Sequence, residues 1–175
     1  MVAIEKITSD MFDDVYTSIL ADDDPDLSSD DWRPLFQPNH AGNENHFGYA
    51  LTDRGRIVGM LGMRHSQRSI EGKRKEFCNL HSWIVDEKYR SRSLLLMRPA
   101  LKLTEHTLTD FTPTEPVCAI SRKLGFKPLE SSLRILLPFN LSRRREEQGV
   151  RIESDSDSIK SSLNSTELQL SEDHQ

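Results

Sequence analysis

In Arg90-Ser91-Arg92-Ser93-Leu94-Leu95, two arginines stand in a short serine-containing stretch between a long strand-like run and an apolar, helix-like one. Consecutive backbone N–H groups at a helix N-terminus form a concave, positively polarised cradle, to which Arg90 and Arg92 add full charges. Holding a phosphate or pyrophosphate is the chemistry such a segment suits. Titratable groups lie on the strand-like run 76–85 just before it. Glu76 and His81 have opposite parity there, so they face opposite sides of a sheet and at most one points into a given cleft. His81 has the resting pKa nearer neutrality, and His65, on the preceding strand-like run, is a further candidate. His40, His46, His106 and His174 form no cluster with ligand spacing, so no metal is expected. Cys78 and Cys118 lie in apolar stretches with neither ligand spacing nor a disulfide framework, and read as reduced, buried thiols.

The charge pattern narrows the ligand. The net charge of −5 conceals two basic against twelve acidic residues in 1–53, and twelve basic against four acidic in 54–103. A cationic island in an acidic protein suits a small phosphate-bearing ligand, whereas the acidic first third repels a long polyanion, so nucleic acid is not the expected partner. No apolar run approaches the ~18 residues of a membrane span. Met1-Val2-Ala3-Ile4-Glu5-Lys6 lacks the basic and hydrophobic regions of a leader, and a cytoplasmic protein away from membranes is expected.

These groups need a scaffold, and 175 residues suffice for one domain with an appendage. The pattern predicts a strand over 1–7, a helix burying Phe12, Val15, Ile19 and Leu20, and a short helix near Trp32. Strands at 47–51 and 56–63 are joined by the turn Thr52-Asp53-Arg54-Gly55. A polar, basic connection over 65–75 leads to the strand at 76–85. A helix from Leu94 to about Leu103 carries an awkward Pro99. A strand over 106–111, a helix over 114–124 closed by Gly125, and a last strand over 133–139 complete the domain. Residues 141–175 hold only seven apolar side chains, too few to offset the entropy of ordering. The expected organisation is a domain over 1–139 and a disordered polar tail over 140–175.

The order β-α-α-β-β-β-α-β-α-β, with its motifs, resembles the GNAT superfamily of acyl-CoA N-acyltransferases. The family pattern Gln/Arg-x-x-Gly-x-Gly/Ala aligns with 90–95, where Arg90 is kept while Ser93 and Leu95 replace the small residues. Asp53-Arg54-Gly55-Arg56-Ile57-Val58-Gly59 is similar to the family's second-to-third strand turn. Trp83-Ile84-Val85-Asp86-Glu87-Lys88-Tyr89-Arg90 resembles the exit of its fourth strand, and Arg122-Lys123-Leu124-Gly125-Phe126 the end of its fourth helix.

The resemblance implies an α/β fold of the α+β type, in which a twisted, mixed and mostly antiparallel sheet is flanked by helices and opens into a V between two strands. It implies acetyl-CoA or another acyl-CoA as co-substrate. The backbone at Trp83, Ile84 and Val85 would pair with the pantetheine arm, Arg90, Ser91, Arg92, Ser93, Leu94 and Leu95 would hold the pyrophosphate, and Thr114 would occupy a frequent cofactor-side asparagine position. Ser121 stands where the family often has a tyrosine that protonates the departing thiolate, and serine is a poor acid for that task. Glu76 and His81 are the candidate bases for direct attack by a primary amine of a small molecule. The alternative is a non-catalytic GNAT-like module that binds CoA or regulates a partner, and either form would be a monomer or homodimer.

Overall fold

The structure, a computed structural model, describes residues 2–38, 45–129, 155–165 and 167–168. Among them, five strands form one sheet in sequence order: β1 (Val2–Lys6), β2 (Gly48–Asp53), β3 (Arg56–Ile70), β4 (Lys73–Val85) and β5 (His106–Thr109). The first four are antiparallel, and β5 joins β4 in parallel after a helical crossover. The expected mixed, mostly antiparallel sheet flanked by helices is present.

Two tight turns generate the central meander. Arg54 and Gly55 take φ of 53° and 78°, and Glu71 and Gly72 take 52° and 72°. Positive φ at both central residues matches the right-handed twist of the flanking strands. The second turn corrects the sequence expectation over 65–75. Instead of a polar connection, β3 continues to Ile70 and β4 begins at Lys73, paired through Ile70↔Lys73 and Arg68↔Lys75. Charged residues on both faces erase the alternation by which a half-buried strand is recognised, while the backbone pairing needs none of it.

Each sheet face has its own core. On one, the helical run 9–23 (α1) changes pitch: 3-10 at Ser9–Met11, α at Phe12–Val15, π at Tyr16–Leu20 and α again at Ala21–Asp23. A short helix, α2 (Ser29–Trp32), follows. Asp31 accepts the Ser28 backbone N–H at 2.8 Å, closing a capping box. A 3-10 turn (Arg33–Phe36) continues it. Phe12, Val15, Ile19, Leu20, Trp32 and Phe36 cluster with Ala50, Ile57 and Met60 of the sheet. On the other face Leu96, Met97 and Ala100 of α3 (Leu94–Ala100) cover Leu51, Val58, Leu61, Met63, Cys78 and Leu80. Pro99 lies inside α3, which stops at Ala100.

Helix α4 (Glu115–Lys123) is closed by Gly125 at φ 95°, a left-handed position that glycine adopts without a Cβ clash. Residues Met1–Pro128 form one compact unit and Leu129–Gln175 a second. The strand expected over 133–139 and the boundary at 139/140 lie outside the described residues. Within 140–175 the described residues include a seven-residue helix, α5 (Ser156–Ser162), with Asp155 capping the Ser158 N–H at 2.9 Å and no buried side chain. No helix among the described residues is long and apolar enough to cross a membrane.

Candidate active site

Strands β4 and β5 pair only from Glu76↔His106 to Asn79↔Thr109. The last rung is tied by side chains, Thr109 Oγ1 donating to Asn79 Oδ1 at 3.1 Å. Beyond it, among the described residues, no strand pairs with β4 on that side. Among the described residues, β4 therefore presents an open edge from Leu80 to Val85, with β3 on its other side.

An irregularity shapes this edge. Met60 pairs with Ile84 and Gly62 with His81, so Ser82 and Trp83 together oppose the single residue Leu61. Ser82 takes a φ of 48°. A left-handed non-glycine residue costs roughly 1–3 kcal/mol and persists where its surroundings enforce it. The bulge places Trp83 on the α3 face, against the cluster of Leu80 and Cys78, and Ile84 on the α1 face beside Met60. Val85 and Leu95 also pack on the α3 side. The Trp83 indole N–H is buried without a partner.

His81 alternates with Leu80 and so shares the α1 face with Gly62 and Arg64. A side chain at position 62 would overlap the ring atoms Cε1, Nδ1 and Nε2, so glycine is the residue that admits the imidazole against β3. Arg64 donates to the carbonyl oxygens of Pro34 at 3.0 Å and Gln37 at 3.4 Å, tying the end of the α2 segment to the sheet. Burial, with the nearby Arg64 charge adding to it, pushes the His81 pKa down from 6.5 to about 4. The ring is therefore neutral near neutral pH. Its Nδ1 lies 3.1 Å from Ser82 Oγ, and its Nε2 is buried with no partner.

This depression has a measurable thermodynamic consequence. Between pH 6.5 and about 4, His81 binds a proton in the unfolded chain and not in the folded one. Its contribution therefore costs stability as pH falls through that window, by roughly 3 kcal/mol at the acid end. Denaturant unfolding of the parent and His81→Gln between pH 7 and 4 should show the parent losing more, by this order. Parallel curves would contradict the assignment.

Glu76 faces the α3 side, sharing the parity of Cys78 and Leu80, and accepts the Arg74 Nε–H at 3.1 Å. The two candidate bases thus lie on opposite faces, and His81 is the one beyond the last β4–β5 rung. Ser121 is buried on α4, and Thr114 is the exposed N-cap of that helix without a side-chain capping bond.

The segment after β4 departs from an open phosphate loop. Glu87–Arg92 is 3-10 helical and runs through Ser93 into α3. The N–H of Tyr89 bonds Asp86 O at 2.8 Å, that of Ser93 bonds Arg90 O at 3.1 Å, and that of Leu96 bonds Ser93 O at 3.0 Å. With serine at 93 in place of glycine, the backbone adopts ordinary right-handed helical angles, φ −56° and ψ −36°. Part of the expected amide cradle is consequently satisfied from within. Arg90, Ser91 and Arg92 are exposed, as is half of Leu94.

Several neighbours carry little sequence signal. Gly62 inside a strand hints at close approach, but Arg64 and the bulge at Ser82 leave no mark. Asp110, just past β5, has its carboxyl pKa raised by burial. On the α3 face the rings of His46, His65 and His106 stand edge to face at 5.7 and 5.3 Å, with Cys78 Sγ 4.0 Å from His65 Nε2. Sheet register assembles this row from residues far apart in the chain. Among the described residues no group of three His, Cys, Asp or Glu side chains has the arrangement of a metal site.

Comparison with known proteins gives neither a matching family model nor a matching curated protein. Solved structures do match. A ribosomal-protein-alanine N-acetyltransferase from Brucella melitensis biovar Abortus 2308 aligns with a TM-score of 0.58 and 15% identity, over 78% of this chain and 99% of that one. An aminoglycoside acetyltransferase from an uncultured soil metagenomic sample gives 0.53 and 17%, over 80% and 99%. A GCN5-related N-acetyltransferase from Kribbella flavida gives 0.51 and 19%, over 71% of this chain and 33% of that one. With its mixed five-stranded sheet, parted β4 and β5, and flanking helices, the chain has the GNAT acyltransferase fold.

Proposed function

We propose that this chain is an N-acyltransferase, transferring an acetyl or related acyl group from acyl-CoA to a primary amine of a small molecule by direct attack. The observation that carries the reading is the β4 edge beyond Asn79, open among the described residues, with a neutral, half-buried imidazole beside it. An extended amide-bearing arm such as pantetheine can add to that edge at Trp83, Ile84 and Val85 as an extra strand would.

The fit to the rest of acyl-CoA is uneven. Arg90 and Arg92 offer exposed charge for the diphosphate, while the N–H groups of Ser93 and Leu96 are already committed. The cofactor, when bound, supplies the activated acyl group. His81 Nε2 is the atom that would receive the proton lost by the attacking amine nitrogen, once acceptor binding uncovers it; the burial and the Arg64 charge that keep the ring neutral also make it a weak base. Glu76, ion-paired on the opposite face, is the lesser candidate, and buried Ser121 lacks the acidity to protonate a thiolate at neutral pH.

For the acceptor, six aspartates in residues 22–31 favour a cationic molecule over an anionic one, and Asp110 past β5 adds a carboxyl. Cys78 and Cys118 form no disulfide, which accords with a cytoplasmic setting.

Thiol release from acetyl-CoA across a panel of primary amines, aminoglycosides included, tests the reading, and turnover with at least one is expected. The committed amides at 93 and 96 favour a second reading, a GNAT-shaped module that binds without chemistry. Measurable CoA binding with no turnover on any amine would select it.

Because charge rather than an amide cradle would hold the diphosphate, Arg90→Ala should raise the CoA Kd by roughly ten- to a hundredfold, the worth of one charge-assisted contact. Calorimetry on the folded variant reads this directly. An unchanged Kd would remove residues 90–95 from the cofactor site.

A further inference from the structure

In a regular strand, consecutive side chains point to opposite faces, so neighbours do not hydrogen-bond across the sheet. The bulge at 82 breaks that rule. With Ser82 in the left-handed region, its hydroxyl comes round to the face of the preceding residue, and Oγ stands 3.1 Å from His81 Nδ1.

Two proton arrangements satisfy that contact. In one, the serine O–H donates to an Nδ1 lone pair, which leaves an N–H on Nε2. In the other, Nδ1–H donates to the serine oxygen, which leaves a lone pair on Nε2. Nε2 is buried and has no partner, so the first arrangement buries an N–H donor with nothing to receive it. Among buried backbone groups, orphaned N–H donors are rarer than under-satisfied acceptors, and the choice of tautomer carries that ordering over to the ring. The Arg64 cation near the ring also disfavours carrying protons on both nitrogens.

We propose that Ser82 is a positioning residue that accepts the Nδ1–H of His81 and so locks the neutral ring in the tautomer whose Nε2 carries the lone pair. The catalytic consequence rests on the reading of His81 as the base: only this tautomer leaves a lone pair on Nε2 for the acceptor amine's proton, and acceptor binding must uncover that atom first. It is also the tautomer that free histidine disfavours in water, so its presence would need a cause.

The test uses the full chain, ligand-free and labelled with 15N-histidine. Long-range 1H–15N spectra at pH 7 distinguish protonated from unprotonated ring nitrogens, and His81→Gln assigns the signals. The parent should show a protonated Nδ1 and a bare Nε2. Ser82→Gly, whose backbone adopts a φ of 48° without strain, should move the proton toward Nε2. Ser82→Asp, an acceptor-only side chain, should return it to Nδ1, a rescue that a merely structural serine would not produce.

In acetyl-CoA turnover, Ser82→Gly should lower kcat by about ten- to a hundredfold with little change in KM. A proton on Nε2 in the parent, or a tautomer indifferent to Ser82→Gly, overturns the proposal whatever the activity. The expected tautomer together with full turnover in His81→Gln supports the hold of Ser82 on the ring and overturns the base reading instead.

Discussion

Replacing His81 by glutamine is expected to lower kcat for acyl transfer by about a hundred- to a thousandfold while leaving KM for acyl-CoA within a few-fold, the range for removing a positioned acid–base group. The groups assigned to cofactor binding, the β4 edge and Arg90 with Arg92, are not part of the imidazole, so the loss should fall on the chemical step. The pH profile separates this role from a structural one. With its pKa near 4, the ring is already neutral throughout the range in which primary amines lose their protons. The acid limb of the parent should therefore follow the acceptor amine, and His81→Gln should lower the plateau without moving that limb. A variant with parental kcat would remove His81 from the chemistry.

A single methyl group should do nearly as much damage from the neighbouring strand. A Cβ at Gly62 would lie 2.6 Å from His81 Nε2 and closer still to Cε1. In Gly62→Ala, the imidazole must leave its seat or β3 and β4 must part. Overpacking of this kind typically costs about 1–3 kcal/mol. The expected result is a lower Tm together with a fall in kcat approaching that of His81→Gln, because a displaced ring is as ineffective as an absent one. Truncating the ring should relieve the strain, so the stability cost of Gly62→Ala should shrink in a His81→Ala background. Equal costs in both backgrounds would show that the methyl group is accommodated elsewhere.

Much of the scaffold was legible because its signals are local. Phe12, Val15, Ile19 and Leu20 recur at helical spacing and do bury together, although the helix changes pitch within that run. Gly55 and Gly125 mark a turn and a helix end where the backbone takes positive φ. Parity along the strand separates Glu76 from His81 because no bulge intervenes between them.

Less of the site could be read. The bulge opposite Leu61 depends on how two strands register, and neither Ser82 nor Trp83 has a type that announces it. The tie from Arg64 to Pro34 and Gln37 joins residues about thirty positions apart, through carbonyl groups that every residue possesses. The arginines at 90 and 92 raise an expectation of exposed phosphate-binding amides. Serine and leucine at 93 and 95 instead let the segment coil into helical turns that occupy some of those donors.

The ribbon that continues β3 and β4 beyond the body of the sheet bears on how copies of this protein meet in solution. Among the described residues, β2 pairs no further along β3 than Gly62, and β5 no further along β4 than Glu76. Among those residues, the ribbon beyond these limits has two unpaired edges whose backbone groups could recruit strands from another molecule. Arg68 and Lys75 face each other across it, with Lys73 and Arg74 next along β4. A second ribbon laid alongside would bring like charges within a few ångströms, and lysine on an edge strand is a recurrent defence against such pairing. The charges that disguise this segment as a loop thus also guard it against edge-to-edge aggregation.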